Sequence, residues 1–376
     1  MTFAVVTGGG TSGHVLPALA IADALVAAGH ERSGIHYVGT TRGIENRLVP
    51  PTGYPHTMLD VVGLQRSMSR RNVVFVPKLM RATWQASRLL RRLQPQVVVN
   101  VGGYGSFPAT FAARLARIPV VVVSYDHRPG LVSRLLARGA AATAVAFAGS
   151  KLPHAELTGA PVRREIVVVD RAAQRMSARA LLGLPSDRFV VGVCCGSLGA
   201  KVVNDAVSGM VELLAEHRDL AVRHVVGERF ADGAAAARDG DDGILYAVIG
   251  YEEQMPAMYA AVDLMVTRAG AGTIVELAAA GVPAVVVPWP GAAENHQLDN
   301  AHQLTDHGGA ILMEQAGLTA ARLAAVVLRL QSDPAELAAL GTAAYALGAV
   351  HRSGKLVDLV ERSARPSSAV ASGGPR

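Results

Sequence analysis

Thr2-Phe-Ala-Val-Val-Thr-Gly-Gly-Gly-Thr-Ser-Gly-His14 runs directly into Val15-Leu-Pro-Ala-Leu-Ala-Ile-Ala-Asp-Ala-Leu25. An apolar strand enters a glycine-dense turn, and an apolar helix opens at once behind it. Gly8, Gly9, Gly10 and Gly13 let the backbone approach a ligand closely, and the free N–H groups of the following helix point to the same place. Such a turn takes phosphate or another anion, with His14 as the ionisable side chain on its lip. Gly8, Gly10 and Gly13 also spell G-x-G-x-x-G. A dinucleotide fold, however, needs an acidic residue at the end of its second strand to hold the ribose. Here that strand, read at Gly34–Gly39, ends in Thr40-Thr41-Arg42, and Asp23 falls inside the first helix. The turn is of the Rossmann type; a nicotinamide or flavin dinucleotide is not expected.

Working outward, strand-like and helix-like runs alternate along all 376 residues, too many for one ordinary core. The first series of strands is read at Phe3–Val6, Ile35–Val38, Val97–Val101, Val120–Val123 and Thr143–Ala146, with a short strand and turn over Leu157–Pro161. A second series opens at Phe189–Cys194, again followed by a glycine turn, Gly196–Ala200, and a helix from about Val202. It continues at Ala221–Val226, Leu245–Ile249, Leu264–Val266, Ala284–Val287 and Ala310–Met313. The fold class is therefore α/β, with two Rossmann-like domains expected to face one another. Residues 1–162 form the first and 163–349 the second. A last helix at about 350–363 is expected to return to the first domain, and the patternless tail 365–376 is expected to be disordered.

Composition narrows the classes. No apolar run reaches the roughly eighteen uncharged residues of a membrane span, and the N-terminus reads as a strand instead of a signal peptide. Cys194 and Cys195, the only two cysteines, are adjacent; they imply neither a disulfide framework nor a metal site, and fit a reducing cytoplasm. The net charge of +6 is uneven: between Arg66 and Arg92 stand eight Lys or Arg and no Asp or Glu. The same segment carries Phe75, Leu79, Met80, Trp84, Leu89 and Leu90. It reads either as a solvated amphipathic helix or as a patch lying on anionic lipid. Without a stacking series of aromatics, nucleic acid is not expected.

Several polar constellations punctuate the strand ends. Gly196-Ser197-Leu198-Gly199 is a second anion loop. Thr267-Arg268-Ala-Gly-Ala-Gly-Thr273-Ile-Val-Glu276 places a carboxylate one turn into a helix, where it can take both hydroxyls of a ribose or simply complement the helix dipole. Asn295, His296, Gln297 and Asn300 follow a rigid proline loop and suit sugar hydroxyls. Asp239-Gly-Asp241 imitates a metal-binding D-x-D but reads as a solvated turn. Gly102-Gly-Tyr104 is a further glycine turn at the end of a strand.

In this order and spacing the motifs resemble the MurG family, sugar transferases that turn lipid I into lipid II in peptidoglycan synthesis. The resemblance takes in almost the whole chain: Gly8–His14, Gly39-Thr-Thr-Arg-Gly-Ile-Glu45, Gly102–Tyr104, Arg128-Pro-Gly-Leu131, Gly159-Ala-Pro-Val-Arg163, Gly196-Ser197, Arg268-Ala-Gly270, Glu276 and Asn295–Gln297. It implies a GT-B fold and an inverting hexosyltransferase that needs no metal and no cofactor. Its donor would be a UDP-sugar, UDP-N-acetylglucosamine by preference, and its partners a lipid-linked diphosphate acceptor and an anionic membrane surface. The protein would lie peripherally on the inner face of the cell membrane.

Donor contacts implied by the resemblance are Glu276 to the ribose, Gly250 and Tyr251 over the uracil, and Arg163, Ser197, Ala271 and Thr273 around the nucleotide. His296, Gln297 and Asn300 would read the sugar. Acceptor contacts would come from Gly10, Thr11, Ser12, Gly13, Gly103 and Tyr104. The membrane patch would comprise Phe75, Leu79 and Trp84 with Lys78, Arg81 and Arg88. His14 is the candidate base and Asp126 the alternative. The chain departs from the family's His-Glu-x-Asn at Val123-Ser-Tyr-Asp126, and from its Gly-Gly-Ser-Gln-Gly-Ala at Cys195-Gly-Ser-Leu-Gly-Ala200. These departures keep two alternatives open: a paralogue acting on a phosphoglycolipid or other specialised-metabolite acceptor, and an inactive sugar-nucleotide-binding scaffold at the membrane.

Overall fold

A computed structural model describes residues 2–61, 75–127, 129–196 and 198–366. The chain divides into two units, Met1–Arg164 with Ser353–Arg376, and Glu165–Arg352. In the first unit the elements are β1 (Ala4–Thr7), α1 (Ser12–Ala27), β2 (Ile35–Thr40), α2 (Glu45–Leu48), β3 (His56–Leu59), α3 (Phe75–Leu93) and β4 (Val97–Asn100). They continue with α4 (Phe107–Leu115), β5 (Val120–Ser124), α5 (Leu131–Ala137), β6 (Ala142–Val145) and β7 (Ala155–Leu157). The strands form one sheet in the order β3-β2-β1-β4-β5-β6-β7, and every pair is parallel.

The second unit opens with α6 (Arg164–Val167) and α7 (Arg171–Leu182). It continues through β8 (Phe189–Cys194), α8 (Lys201–Leu213), β9 (Leu220–Val225), β10 (Leu245–Ile249), α9 (Met255–Ala261), β11 (Leu264–Thr267) and α10 (Ala271–Ala280). β12 (Ala284–Val286), α11 (His296–Thr305), β13 (Ile311–Leu312), α12 (Ala320–Ser332) and α13 (Pro334–Leu347) complete it. Its sheet runs β10-β9-β8-β11-β12-β13, also parallel throughout. The chain then returns to the first unit as α14 (Lys355–Ser363), which buries Leu356, Leu359 and Val360. There Glu361 meets His30 at 2.9 Å and Arg362 meets Glu156 at 3.0 Å.

Central strands are fully buried valine runs, as parallel strands covered on both faces must be. Two edge strands escaped the sequence reading for the opposite reason. β3 has only Leu59 buried, so His56-Thr-Met-Leu59 shows no continuous apolar run. β7 pairs only with β6 and lies at Ala155–Leu157, not Leu157–Pro161; beyond it Gly159 takes a φ of +80° and turns the chain. The expected disordered tail falls, from residue 367 on, outside the described residues.

β1 lies between β2 and β4, and β8 between β9 and β11. At such a reversal of strand order the flanking loops splay apart beyond the C-terminal strand ends, which is where open α/β sheets bind ligands. Each unit thus presents one pair of loops: 8–11 with 101–106, and 195–200 with 268–270.

α3 separates its faces cleanly. Ala82, Ala86, Leu89 and Leu90 pack into the core, so Leu89 and Leu90 are not membrane candidates. Met80 and Trp84 are exposed, with the Arg88 guanidinium 5.0 Å from the Trp84 ring. Arg81 is exposed and Leu79 half-buried. Lys78 is already paired, its ammonium 3.0 Å from Asp60, so it is a weaker lipid contact than its charge alone promised. The Phe75 side chain and residues 66–74 lie outside the described residues. Among the described residues no helix is long and apolar enough to cross a membrane.

Candidate active site

In the first unit the glycine loop is built around a buried carboxylate. Glu45 is fully buried and accepts from the Thr40 N–H at 2.9 Å and the Thr40 hydroxyl at 2.6 Å. The Gly10 N–H reaches its two oxygens at 3.3 and 3.2 Å. A Cβ at Gly9 would lie 2.6 Å from the Glu45 carboxylate, and one at Gly43 only 1.9 Å from it. Glycine is required here so that backbone can close on that carboxylate. Gly10 (φ +97°) packs its Cα face against the half-buried Tyr104 ring, where a Cβ would meet Cε1 at 2.6 Å. The expectation that the Gly10 amide faces a ligand is therefore corrected: Glu45 takes it. Thr11, Ser12 and Gly13 remain as the open lip, with Thr11 and Gly13 exposed. Thr11 caps α1 in position only, its side chain making no bond to the helix, so the first N–H groups of α1 suit an anion.

His14 sits three residues into this lip. Its Nδ1 lies 2.8 Å from the Tyr125 hydroxyl, which also hydrogen-bonds the Gly13 carbonyl. A Cβ at Gly103 would come within 2.9 Å of the ring, so the glycine turn after β4 makes the slot the imidazole occupies. Burial lowers the His14 pKa below its ordinary 6.5, opposed by the Asp126 charge and by the Val101 carbonyl. The ring is thus neutral at physiological pH. Asp126 is close enough to act on His14 and on Tyr125, whose ionisation is pushed far up by burial and then by that charge.

In the second unit the loop after β8 turns with Gly196 at φ +82° and Gly199 at φ +64°. The Gly199 N–H closes the turn on the Gly196 carbonyl at 3.0 Å. A Cβ at Gly199 would lie 1.9 Å from the Val226 carbonyl, so glycine allows two backbones to touch. Ser197 lies outside the described residues. Neighbouring Cys194 and Cys195 have their thiols pushed up by burial to about 11 and about 12, which leaves them without nucleophilic character at neutral pH. The Thr267 hydroxyl ties the end of β11 to the Cys194 carbonyl at 2.5 Å. α8 and α10 begin behind Ala200 and Gly270, which have no side chain able to cap. By contrast α7, α12 and α13 are capped by Asp170, Thr319 and Asp333. The helices at the switch points keep their N–H groups open.

Glu276 is partly exposed on α10, and the Tyr259 hydroxyl holds it at 2.8 Å. Ala271 and Thr273 stand at the start of the same helix, with the Gly270 Cβ position 3.7 Å from the Thr273 hydroxyl. Tyr251, 45% exposed, follows Gly250 beyond β10. Its loop is braced by Glu252, which binds Arg223 at 2.8 Å and the Gln254 N–H at 2.8 Å, a clasp the sequence reading missed. Trp289 is half-exposed, and its backbone N–H donates to the Gln297 side-chain oxygen at 2.9 Å. Glu294 and Asn295 both take positive φ, 52° and 55°, a costly backbone for non-glycine residues that tends to gather at functional loops. Asn300 requires a correction. It is fully buried and its amide donates to the Ala269 carbonyl at 3.2 Å, so it braces the Arg268–Gly270 loop instead of meeting a sugar. Arg268 does similar work, bonding the Val287 and Pro288 carbonyls and Gln315. Asp239-Gly-Asp241 is an exposed turn closed by the Asp241 N–H on Asp239 at 3.2 Å.

The glycosyltransferase family 28 N-terminal domain matches residues 4–145, and the glycosyltransferase family 28 C-terminal domain matches residues 190–356. The chain belongs to glycosyltransferase family 28. A relative from Clavibacter michiganensis subsp. michiganensis is 41% identical over 99% of this chain and 100% of its own. One from Desulforudis audaxviator is 38% identical over 96% of this chain and 98% of its own. Both are named UDP-N-acetylglucosamine–N-acetylmuramyl-(pentapeptide) pyrophosphoryl-undecaprenol N-acetylglucosamine transferase. Among solved structures, Acinetobacter baumannii MurG matches with a TM-score of 0.72 at 27% identity, covering 96% of this chain and 100% of that one. The resemblance to MurG is borne out along the whole chain, and with it the GT-B fold and the transferase class of this family 28 member.

Proposed function

We propose that this family 28 enzyme transfers N-acetylglucosamine from UDP-N-acetylglucosamine to lipid I, the undecaprenyl-diphosphate-linked N-acetylmuramyl-pentapeptide. One observation carries this reading: about two-fifths identity extends over the whole length of both chains with relatives bearing that enzyme name. A phosphoglycolipid acceptor and an inactive scaffold are not favoured, since the relatives cited share one activity.

The chemistry is a single inverting displacement. His14 Nε2 takes the proton of the acceptor hydroxyl, its oxygen bonds to the anomeric carbon, and the bond from that carbon to UDP breaks. Negative charge gathering on the departing diphosphate meets the open N–H groups at the starts of α8 and α10, with Ser197 and the helix dipoles, so no metal is needed. Glu276 takes the ribose hydroxyls, Tyr251 covers the uracil, and His296 and Gln297 read the sugar. The open start of α1 and Tyr104 take the acceptor diphosphate. Asp126 raises the basicity of His14 and is the alternative base. Met80, Trp84, Arg81 and Arg88 on α3 lie on the inner face of the cell membrane, which makes the protein peripheral there. Vesicle cosedimentation that rises with anionic lipid and falls with salt checks this placement; binding indifferent to both contradicts it.

Incubation with a short-chain lipid I analogue and a panel of UDP-hexoses, read by mass spectrometry, tests the activity. The expected product is the lipid II analogue, formed from UDP-N-acetylglucosamine and surviving exhaustive chelation. Preference for another UDP-hexose, or sugar release without transfer, contradicts the proposal.

A further inference from the structure

We infer that Tyr125 is a positioning residue that fixes His14 as the Nδ1–H tautomer and leaves the Nε2 lone pair to accept the proton, an inference that rests on reading His14 as the base. The Tyr125 hydroxyl touches two groups: the Gly13 carbonyl and His14 Nδ1. The first contact has a cause in the sequence. Pro17 stands inside α1, four residues beyond Gly13. It has no N–H, so the Gly13 carbonyl is deprived of its helical donor. A helix carbonyl left without its donor is open to another, and the Tyr125 hydroxyl fills the place.

That filling decides where the phenol proton lies, and the Val101 carbonyl is a second acceptor that calls for a proton on the ring. A carbonyl only accepts, so the single phenol proton goes to Gly13. Were it given to His14, two acceptor oxygens would face each other at hydrogen-bond distance. Burial and the Asp126 charge keep the phenol from ionising. With its proton committed, the Tyr125 oxygen is an acceptor towards the ring, and His14 Nδ1 must donate. A neutral imidazole carries one N–H, so Nε2 is bare. The logic is that of the oriented histidine in hydrolase triads, where a hydrogen bond at Nδ1 sets the tautomer. Here a neutral phenol supplies the bond, and the charge of Asp126 acts from beside it. Tyr125 lies within Val123–Asp126, where the chain departs from the MurG pattern, at a position the motif leaves unspecified.

The test is 15N NMR of the histidine rings in the full chain at pH 7.5, with His14→Gln used for assignment. Expected for the unaltered protein is a neutral His14 with the Nδ1–H pattern. In Tyr125→Phe the ring should shift towards the Nε2–H tautomer and kcat should fall about 10- to 100-fold, less than the roughly 10²- to 10⁴-fold expected for loss of the base itself. KM for UDP-N-acetylglucosamine should stay unchanged. An Nε2–H pattern in the unaltered protein overturns the inference, and so does a Tyr125→Phe spectrum with the ring unmoved. Failure of the base reading is separate: it would appear as a His14→Gln protein that keeps the full transfer rate.

Discussion

The loops after β1 and after β8 have the same plan, strand, glycine turn and uncapped helix, yet they are furnished differently. The first loop is closed on a buried carboxylate, Glu45, and carries an ionisable ring held from the side by Tyr125. The second closes on itself, Gly199 to Gly196, and leans backbone to backbone on Val226. Two buried thiols lie beside it, and the Arg229 guanidinium bonds the Gly199 carbonyl at 3.3 Å. In the proposed mechanism one turn moves a proton, and the other stabilises charge with backbone dipoles and Ser197. A duplicated fold in that mechanism divides the two demands of one displacement, proton removal and charge stabilisation, by furnishing its two switch points differently.

The sharpest way to break this contrast is to remove the ring from the first loop. His14→Ala should lower kcat by about 10²- to 10⁴-fold in the transfer assay. Full activity in that variant, with loss in Asp126→Ala, would move the base to Asp126. Next comes the second unit's carboxylate. Glu276→Ala should weaken UDP binding by about 1.5–3 kcal/mol, as for a charged hydrogen-bond partner, measured by calorimetry.

Acid sharpens the contrast through stability. His224 is fully buried, with Tyr246 at 2.8 Å and Asn204 at 3.1 Å, and burial pushes its pKa down to about 4. The unfolded chain binds this proton below about 6.5 while the folded chain does not. The stabilisation is thus present above pH 6.5 and lost as pH falls towards 4, by about 2 kcal/mol at pH 5 for this one group. Denaturant titrations at pH 7 and pH 5 check it, and His224→Gln should flatten the difference. Smallest is Tyr259→Phe, which removes the hydroxyl that holds Glu276 at 2.8 Å and should cost about 1 kcal/mol of UDP affinity.

The sheet was legible wherever strands are buried on both faces, because valine runs between glycine turns admit few other readings. It failed at β3 and β7, where one face is exposed and the pattern breaks. The site was legible as motif but not as partnership. Glu45 stood in a quoted motif without a role, since nothing local says that a carboxylate 35 residues on will cap Gly10. Asn300 has the chemistry of a sugar contact, and only its burial reveals a brace. Tyr125 went unnoticed because its partner is a carbonyl freed by Pro17, a consequence of helix geometry visible only once α1 is known to run through that proline.

Calorimetric UDP binding to the His14→Ala protein tests the division of labour most directly. If proton transfer belongs to the first loop and nucleotide binding to the second unit, the affinity should equal that of the unaltered protein within twofold or so, while Glu276→Ala loses about tenfold or more. A comparable loss of UDP affinity in His14→Ala would contradict the division.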